Sequence, residues 1–497
     1  MTWGFILTSD FRQRKPLTFG FNLSMLDFES CYRAISARDG RFDGQFFTAV
    51  TSTGIYCRPI CPARTPAQRN VRFYPDAAAA EAAGFRPCKR CRPEASPGSP
   101  DWDVRGDLVG RALRLIDEGV VDSDGVRGLA SRLAVTERHL HRLFMAELGA
   151  APLAVARSRR LRLARRLLVE TGMPVTEVAF AAGFGSVRQF NASMQEAYGQ
   201  APSELRNGAV RPPGLRLRLS LRKPYDAQTL LAFLTKRAIP GVETITPERY
   251  ARTIDGGTIE LIPQDDHVLL TAEAPGALKG VARLVARCRR LFDLDADPQA
   301  VAEALGQDEL LGPLVTERPG LRVPGAFDGF ELVVRAVLGQ QVSVAGARTL
   351  AGRLVARTGE PLDPELVRDG LTHVFPTAEA VAKADLTGLG LTGARERTLQ
   401  AVAEAVASGE IDLDGGEPGE TRARLLALPG IGPWTAEYIA MRALRDPDAF
   451  PDTDLVLRRA LDRHGVTPER TDTWRPWRAY AALHLWAAPM PEQGEEQ

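Results

Sequence analysis

Four of the six cysteines fall in two close pairs, Cys57-x3-Cys61 and Cys88-x2-Cys91, separated by 26 residues. Two such pairs, a small domain's length of chain apart, suit a tetrahedral four-thiolate zinc site. Their clustering points to a metal in a reducing compartment, and so to the cytoplasm, rather than to a disulfide framework. Cys31 and Cys288 stand alone and read as buried, inert thiols. Near the other end, Leu428 to Trp434 is LPGIGPW: a helix end, a Gly430-Ile431-Gly432 turn and a new helix beginning near Pro433. The two glycines let the backbone come close to a phosphate, which the new helix's amides can bind without a charged side chain. About twenty residues on, Phe450-Pro451-Asp452-Thr453-Asp454-Leu455 leads into Arg458-Arg459, and a carboxylate there can face a flipped nucleotide.

These groups must be positioned by several separate cores. At 497 residues the chain suits about three or four compact units. Apolar residues at 44% and charged residues at 25% are ordinary for globular protein and exclude bulk disorder. The formal net charge is only +1, so nucleic-acid binding has to be sought in local patches. No stretch approaches the roughly 20 apolar residues that span a bilayer, and no membrane partner is expected. The apolar start, Trp3 to Leu7, precedes Arg12, Arg14 and Lys15, the wrong order for a signal peptide. Met25 is an alternative start.

Pro93 to Pro100 (PEASPGSP) and Asn207 to Gly214 (NGAVRPPG) read as linkers. The division expected is an N-terminal extension 1–24, a small α+β zinc domain 25–100, an all-α unit 101–208, an α+β unit 215–325, an all-α unit 326–487 and a tail 488–497. Alternation at Leu215 to Leu221 and Thr258 to Ile262 predicts strands, and Leu278 to Phe292 a helix. From Phe327 onward the pattern is helical, with no convincing strand.

The stretches TSTGIYCRPICPAR (Thr51 to Arg64) and GFRPCKRC (Gly84 to Cys91) closely resemble the N-terminal domain of the Ada-type DNA methylation response proteins. That resemblance implies a Zn2+ ion on Cys57, Cys61, Cys88 and Cys91, with Cys57 accepting a methyl group irreversibly from a methyl phosphotriester in DNA. Zinc would keep the sulfur a thiolate, the nucleophile such a transfer needs. A four-thiolate site carries charge near −2, and methylation removes one negative charge beside the DNA backbone, so affinity should rise. Arg58, Arg64, Arg86, Lys89 and Arg90 lie among the cysteines, and Arg64 and Arg86 match the family's DNA contacts.

Gly128 to Leu148 reads as helix, turn and helix, the second helix capped by Thr136, with Arg138, His139, His141 and Arg142 outward. A second copy turns at Gly183 into a helix capped by Ser186, leaving Arg188, Gln189 and Asn191 to face a major groove. The run Arg157 to Arg166 lies on the joining helix, where charge alone reads as a solvated face. The stretch VTEVAFAAGFGSVRQFNASMQEAYGQAPSELR resembles the double helix-turn-helix of AraC-type transcription factors. A promoter sequence and RNA polymerase are the partners this implies.

The glycine turn and the carboxylate together resemble the helix-hairpin-helix glycosylases. KPYDAQTLLAFL, LFDLDADP, RPGLRVPGAFDGFELVVRAVLGQQVSVAGA and WRPWRAYAALHLW bring the likeness to the AlkA-type 3-methyladenine DNA glycosylases, on double-stranded DNA. The resemblance makes Asp454 the catalytic carboxylate, with Asp452 the alternative if the register is off by two, and Trp434, Tyr438 and Trp486 the base pocket. Lyase relatives carry a lysine where Trp434 stands, so hydrolysis without a Schiff base is implied. Gln341 occupies the position of the family's apolar wedge and is polar here. No cysteine follows Cys288, so an iron-sulfur loop is not expected, and the Pro-Cys-His-Arg motif of O6-methylguanine methyltransferases is missing. Two other readings compete: a regulator whose last half only binds DNA, and a zinc module without methyl transfer. A monomer is expected.

Overall fold

The computed structural model describes residues 28–39, 42–91, 93, 108–206, 214–274 and 280–488. The segment before Met25, most of both linkers and nearly all of the tail lie outside the described residues. The first unit is a four-stranded sheet in the order Val71–Tyr74, Phe47–Val50, Ile55–Cys57, Arg86–Pro87. The last two strands run parallel and the other pairs antiparallel. Helix Ala77–Ala82 packs on it, started by Asp76, whose carboxylate accepts from the Ala78 amide at 2.7 Å. Phe47, Ala49, Tyr56, Ala77, Ala80 and Phe85 form its core, and β-branched and aromatic residues suit these short strands.

Between Leu108 and Leu205 every regular element among the described residues is a helix. The first helix-turn-helix closes on Leu129, Leu133, Leu140 and Phe144, and the second on Val178, Phe184, Phe190 and Met194. The long helix Pro152–Glu170 joins them, and here the solvated-face expectation is corrected. Arg165 is buried, with its guanidinium 5.3 Å from the Tyr198 ring centre. Arg159 pairs with Asp117, and Arg160 lies 2.5 Å from Asp122. The arginines are spent holding helices together because their long stems cover apolar surface while their heads reach carboxylates.

The α+β unit is a five-stranded antiparallel sheet ordered Leu215–Ser220, His267–Glu273, Gly257–Pro263, Tyr250–Ile254, Glu243–Ile245. Leu215, Leu217 and Leu219 are buried while Arg216 and Arg218 are exposed, the period-2 alternation of a one-sided sheet. Its core runs without a break into the second helix-turn-helix. Helices Pro298–Leu305 and Leu311–Glu317 instead add Val301, Leu305 and Leu311 to the core of the last unit. That last unit is helical, except that Glu360–Pro361 pairs with His373–Val374. Two-residue strands are too short to show alternation. They form a seam, since Thr253 Oγ1 donates to the His373 carbonyl and the Thr372 amide to that of Gly241, both at 2.8 Å.

Charge also crosses between units. Arg290, from helix Val281–Leu291, lies 3.0 Å from Glu118 at the end of helix Leu108–Asp117 and 2.9 Å from Asp414 of the last unit. Gln45 of the zinc module donates to Asp297 at 2.9 Å, and Arg111 to the Gly415 carbonyl at 2.8 Å. Burial pushes the Glu118 carboxyl up from its usual range despite Arg290. Arg290→Met would leave two carboxylates in a closed seam without their shared cation, and a loss of about 3–5 kcal/mol is expected in urea unfolding. A change below about 1 kcal/mol would mean that the seam is open to solvent.

Candidate functional site

Backbone turns assemble the cysteines. Cys57 ends strand Ile55–Cys57, the Cys61 amide donates to the Arg58 carbonyl at 3.1 Å, and the Cys88 amide to that of Tyr56 at 2.9 Å. All four sulfurs lie within 4.8 Å of one another. A tetrahedral ion with Zn–S bonds of about 2.3 Å sets sulfurs roughly 3.8 Å apart, so a soft four-thiolate donor set fits zinc. Cys88 and Cys91 are buried, whereas Cys57 and Cys61 are partly exposed. Cys91 Sγ accepts from the Arg58 amide at 3.3 Å. A hydrogen bond drains charge from a thiolate, which leaves the Cys91 sulfur the poorer nucleophile.

Arg58 is committed to Asp43, its Nε donating at 2.8 Å, which removes it from the phosphate-binding candidates. Arg64, Arg86, Lys89 and Arg90 are exposed. The strand bearing Arg86 packs against helix Val187–Tyr198. That helix starts at Ser186, whose Oγ accepts from the Gln189 amide at 3.2 Å, and Thr136 does the same for His139. Arg138, Arg142, Arg188, Gln189 and Asn191 are all exposed.

The second site is a cavity of about 690 Å³ between the sheet unit and the helical unit. Asp454 caps helix Leu455–Arg463 at its mouth. Oδ1 accepts from the amides of Val456 and Leu457 and from Trp486 Nε1, each at 3.0 Å, and Oδ2 from Trp434 Nε1 at 2.9 Å. Asp452 is exposed and does not line the cavity. Trp434 stacks on Tyr438 with ring centres 5.1 Å apart and planes 11° from parallel. Sequence reasoning missed Phe233, Arg237 and Arg442 in the wall. Arg442, four residues after Tyr438 and thus on the same helix face, was detectable by periodicity. Phe233 and Arg237 arrive from the other unit and leave no local signal.

At the turn, Gly430 has φ +83°, and a Cβ there would sit 2.2 Å from Thr398 Oγ1. A Cβ on Gly432 would meet no protein atom within 4 Å, so its free side is open to a ligand. Gln340 Nε2 donates to the Gly430 carbonyl at 2.8 Å and to Thr435 Oγ1 at 3.1 Å, tying this turn to the neighbouring Gln341. Gln341 is exposed at φ +55°.

Family models match four consecutive stretches. They are the metal binding domain of Ada at 30–94, a helix-turn-helix domain at 129–208, the AlkA N-terminal domain at 216–328 and the HhH-GPD superfamily of base excision DNA repair proteins at 334–477. Fold and matches define a class: DNA repair proteins that join a zinc-binding and helix-turn-helix regulator to a base-excising glycosylase. The probable bifunctional transcriptional activator/DNA repair enzyme AlkA of Mycobacterium tuberculosis is 48% identical over 481 residues, 93% of this chain and 96% of that protein. The chain belongs to this family of bifunctional transcriptional activator/DNA repair enzymes. Escherichia coli DNA-3-methyladenine glycosylase 2 is 37% identical over 54% of this chain and 95% of its own length. Escherichia coli Ada is 38% identical over 36% of this chain and 48% of its own length.

The two glycines separate by test. Gly430→Ala combines a left-handed backbone with a steric clash and should cost roughly 2–4 kcal/mol. Gly432→Ala should cost no more than about 1 kcal/mol as a poorer helix cap. Thermal unfolding beside duplex binding should show Gly432→Ala weakening DNA affinity out of proportion to its stability loss.

Proposed function

We propose that the chain answers DNA alkylation twice: Cys57 accepts one methyl group from a backbone methyl phosphotriester, and Asp454 drives removal of alkylated bases such as 3-methyladenine. The observation that carries the second reading is the Asp454 carboxylate, aimed by two indole N–H groups at the mouth of an aromatic cavity. As the N-glycosidic bond breaks, the sugar gains oxocarbenium character, and a preoriented carboxylate stabilises that charge and aligns the attacking water. Trp434, Tyr438 and Trp486 offer electron-rich surfaces that favour a purine made cationic by ring alkylation. With an indole at position 434 in place of an amine, no Schiff base forms, and the reaction ends at hydrolysis. A DNA-binding half without chemistry would not need a cavity with a fixed carboxylate.

The four cysteines would hold zinc, which keeps their sulfurs as thiolates at neutral pH. The Cys57 sulfur forms the new S–CH3 bond as the O–CH3 bond of the triester breaks, leaving an ordinary phosphodiester anion. Arg64 and Arg86 flank the cluster as phosphate contacts. Arg138, Arg142, Arg188, Gln189 and Asn191 read the promoter, and RNA polymerase is the partner of the activated form. Gly430 and Gly432 bind the phosphate beside the lesion, and Gln341 fills the gap the flipped base leaves. We place the protein in the cytoplasm as a monomer, in keeping with the reduced thiols. No helix among the described residues is long and apolar enough to cross a membrane.

Asp454→Asn keeps a competent helix cap, so DNA binding should persist while 3-methyladenine release falls roughly a hundredfold or more. Release at the wild-type rate would overturn the assignment of Asp454. For the first site, mass spectrometry after exposure to methylated DNA should find one added methyl on the Cys57 peptide and none on Cys57→Ser protein. The methylated form should bind duplex DNA more tightly than the unmethylated form, most clearly at low salt. Equal affinities across salt would remove the charge switch.

A further inference from the structure

The two helix-turn-helix units have separate cores that meet on helix Pro152–Glu170. That helix gives Val155 and Ala156 to the first core and Leu161, Ala164, Leu167 and Leu168 to the second. Long helices bend, so two bodies that share one helix swing against each other unless a further contact braces them. The zinc module leans on both, with Ala78 in the first core and the two-residue strand Arg86–Pro87 against helix Val187–Tyr198. A direct contact between the two units is made at Asp122.

Asp122 lies in the segment 120–124, set off from the first helix-turn-helix where the backbone leaves helical geometry at Gly125. Val120 and Val121 are buried in the first core, so the carboxylate moves with that unit. Gly183, the turn before the second recognition helix, is flanked by Ala182 and Phe184, both buried in the second core. The two positions are pressed together: a Cβ on Gly183 would lie 2.7 Å from the Asp122 carboxyl carbon and closer still to Oδ2. Asp122 Oδ1 pairs at 2.5 Å with Arg160 Nε, on the joining helix between Ala156 and Leu161, and the two side chains are only 19% and 14% exposed. One carboxylate from the first unit thus meets both the joining helix and the turn of the second.

We propose that Asp122 sets the angle between the two recognition helices, and with it the spacing of the two promoter elements that the protein reads. The inference rests on the promoter-reading assignment of the helix-turn-helix units above. Major-groove segments on one duplex turn by roughly 35° with each base pair between them, so two recognition helices at a fixed angle fit one separation and miss its neighbours. The missing side chain at Gly183 lets the carboxylate reach the backbone that leads into helix Val187–Tyr198, and the ion pair with Arg160 holds it there. In this role Asp122 is a positioning residue, acting through Gly183 on Arg188, Gln189 and Asn191.

The test uses the full-length protein and a duplex that wild type recovers from a random-sequence pool, with about one or two base pairs then inserted between the two segments it protects from cleavage. Wild type should lose affinity roughly tenfold or more on insertion. Asp122→Ala should bind the original duplex less tightly and hold the inserted duplexes within about threefold of it. Asp122→Ser, which withdraws the carboxylate from the turn but keeps an oxygen, carries the same expectation if Asp122→Ala does not fold. An unchanged spacing preference in the variant, with or without a uniform loss, is what a merely structural role gives and would overturn the proposal. A wild type indifferent to spacing would do the same while leaving promoter reading intact, whereas failure to recover any sequence would overturn both. In thermal unfolding, Gly183→Ala should lower the midpoint less in the Asp122→Ala background than in wild type, because most of the clash has gone while the left-handed backbone at φ +87° costs both alike. Equal lowering would remove the contact on which the proposal stands.

Discussion

The Asp454 carboxylate is gripped by four N–H groups from three directions: two amides of its own helix, the indole of Trp434 after the glycine turn, and the indole of Trp486 near the end of the last helix. A group held this way cannot rotate toward solvent, and each donor belongs to an element that something else must hold. Trp434 is in place because the turn before it is braced by Gln340 and Thr398. Trp486 is in place because helix Arg478–Ala487 buries Tyr480 and Leu483 in the common core. The last unit can be read as a set of supports that fix the direction of one carboxylate.

The same logic explains which parts were legible in sequence. Helix caps are local, so Thr136 and Ser186 could be placed from their neighbours alone, and both accept the expected amides. The cysteine pairs were legible because metal spacing is a short-range code. The alternating strand Leu215–Ser220 was legible because one face is buried. What could not be read is pairing across distance. The arginines of helix Pro152–Glu170 look identical to solvated ones until Asp117, Asp122 and Tyr198 are placed beside them. Phe233 and Arg237 enter the cavity from a different unit, and the ribbon at Glu360 and His373 is too short to carry a period.

Arginine does most of the long-range work in this chain, and in three distinct ways. Arg290 shares two carboxylates across a seam, Arg442 is satisfied by carbonyls and a phenol, and Arg165 lies over an aromatic ring. A planar fork with five donors can do all three while remaining charged, which a lysine cannot. A near-neutral total charge therefore hides a large internal traffic of ion pairs, and says little about which surface meets DNA.

The seam through Arg290, Gln45 and Arg111 has a mechanical consequence. Units joined by flexible linkers can settle on a duplex one after another, each finding its own groove. Units joined by buried contacts present their recognition helices and their cavity at one fixed offset. If both ends engage one duplex, the compliance has to come from the nucleic acid, at a bending energy of about 1–6 kcal/mol that depends on base sequence. The stiffness of the DNA between a promoter element and a lesion would then decide whether the two are met by one molecule or by two.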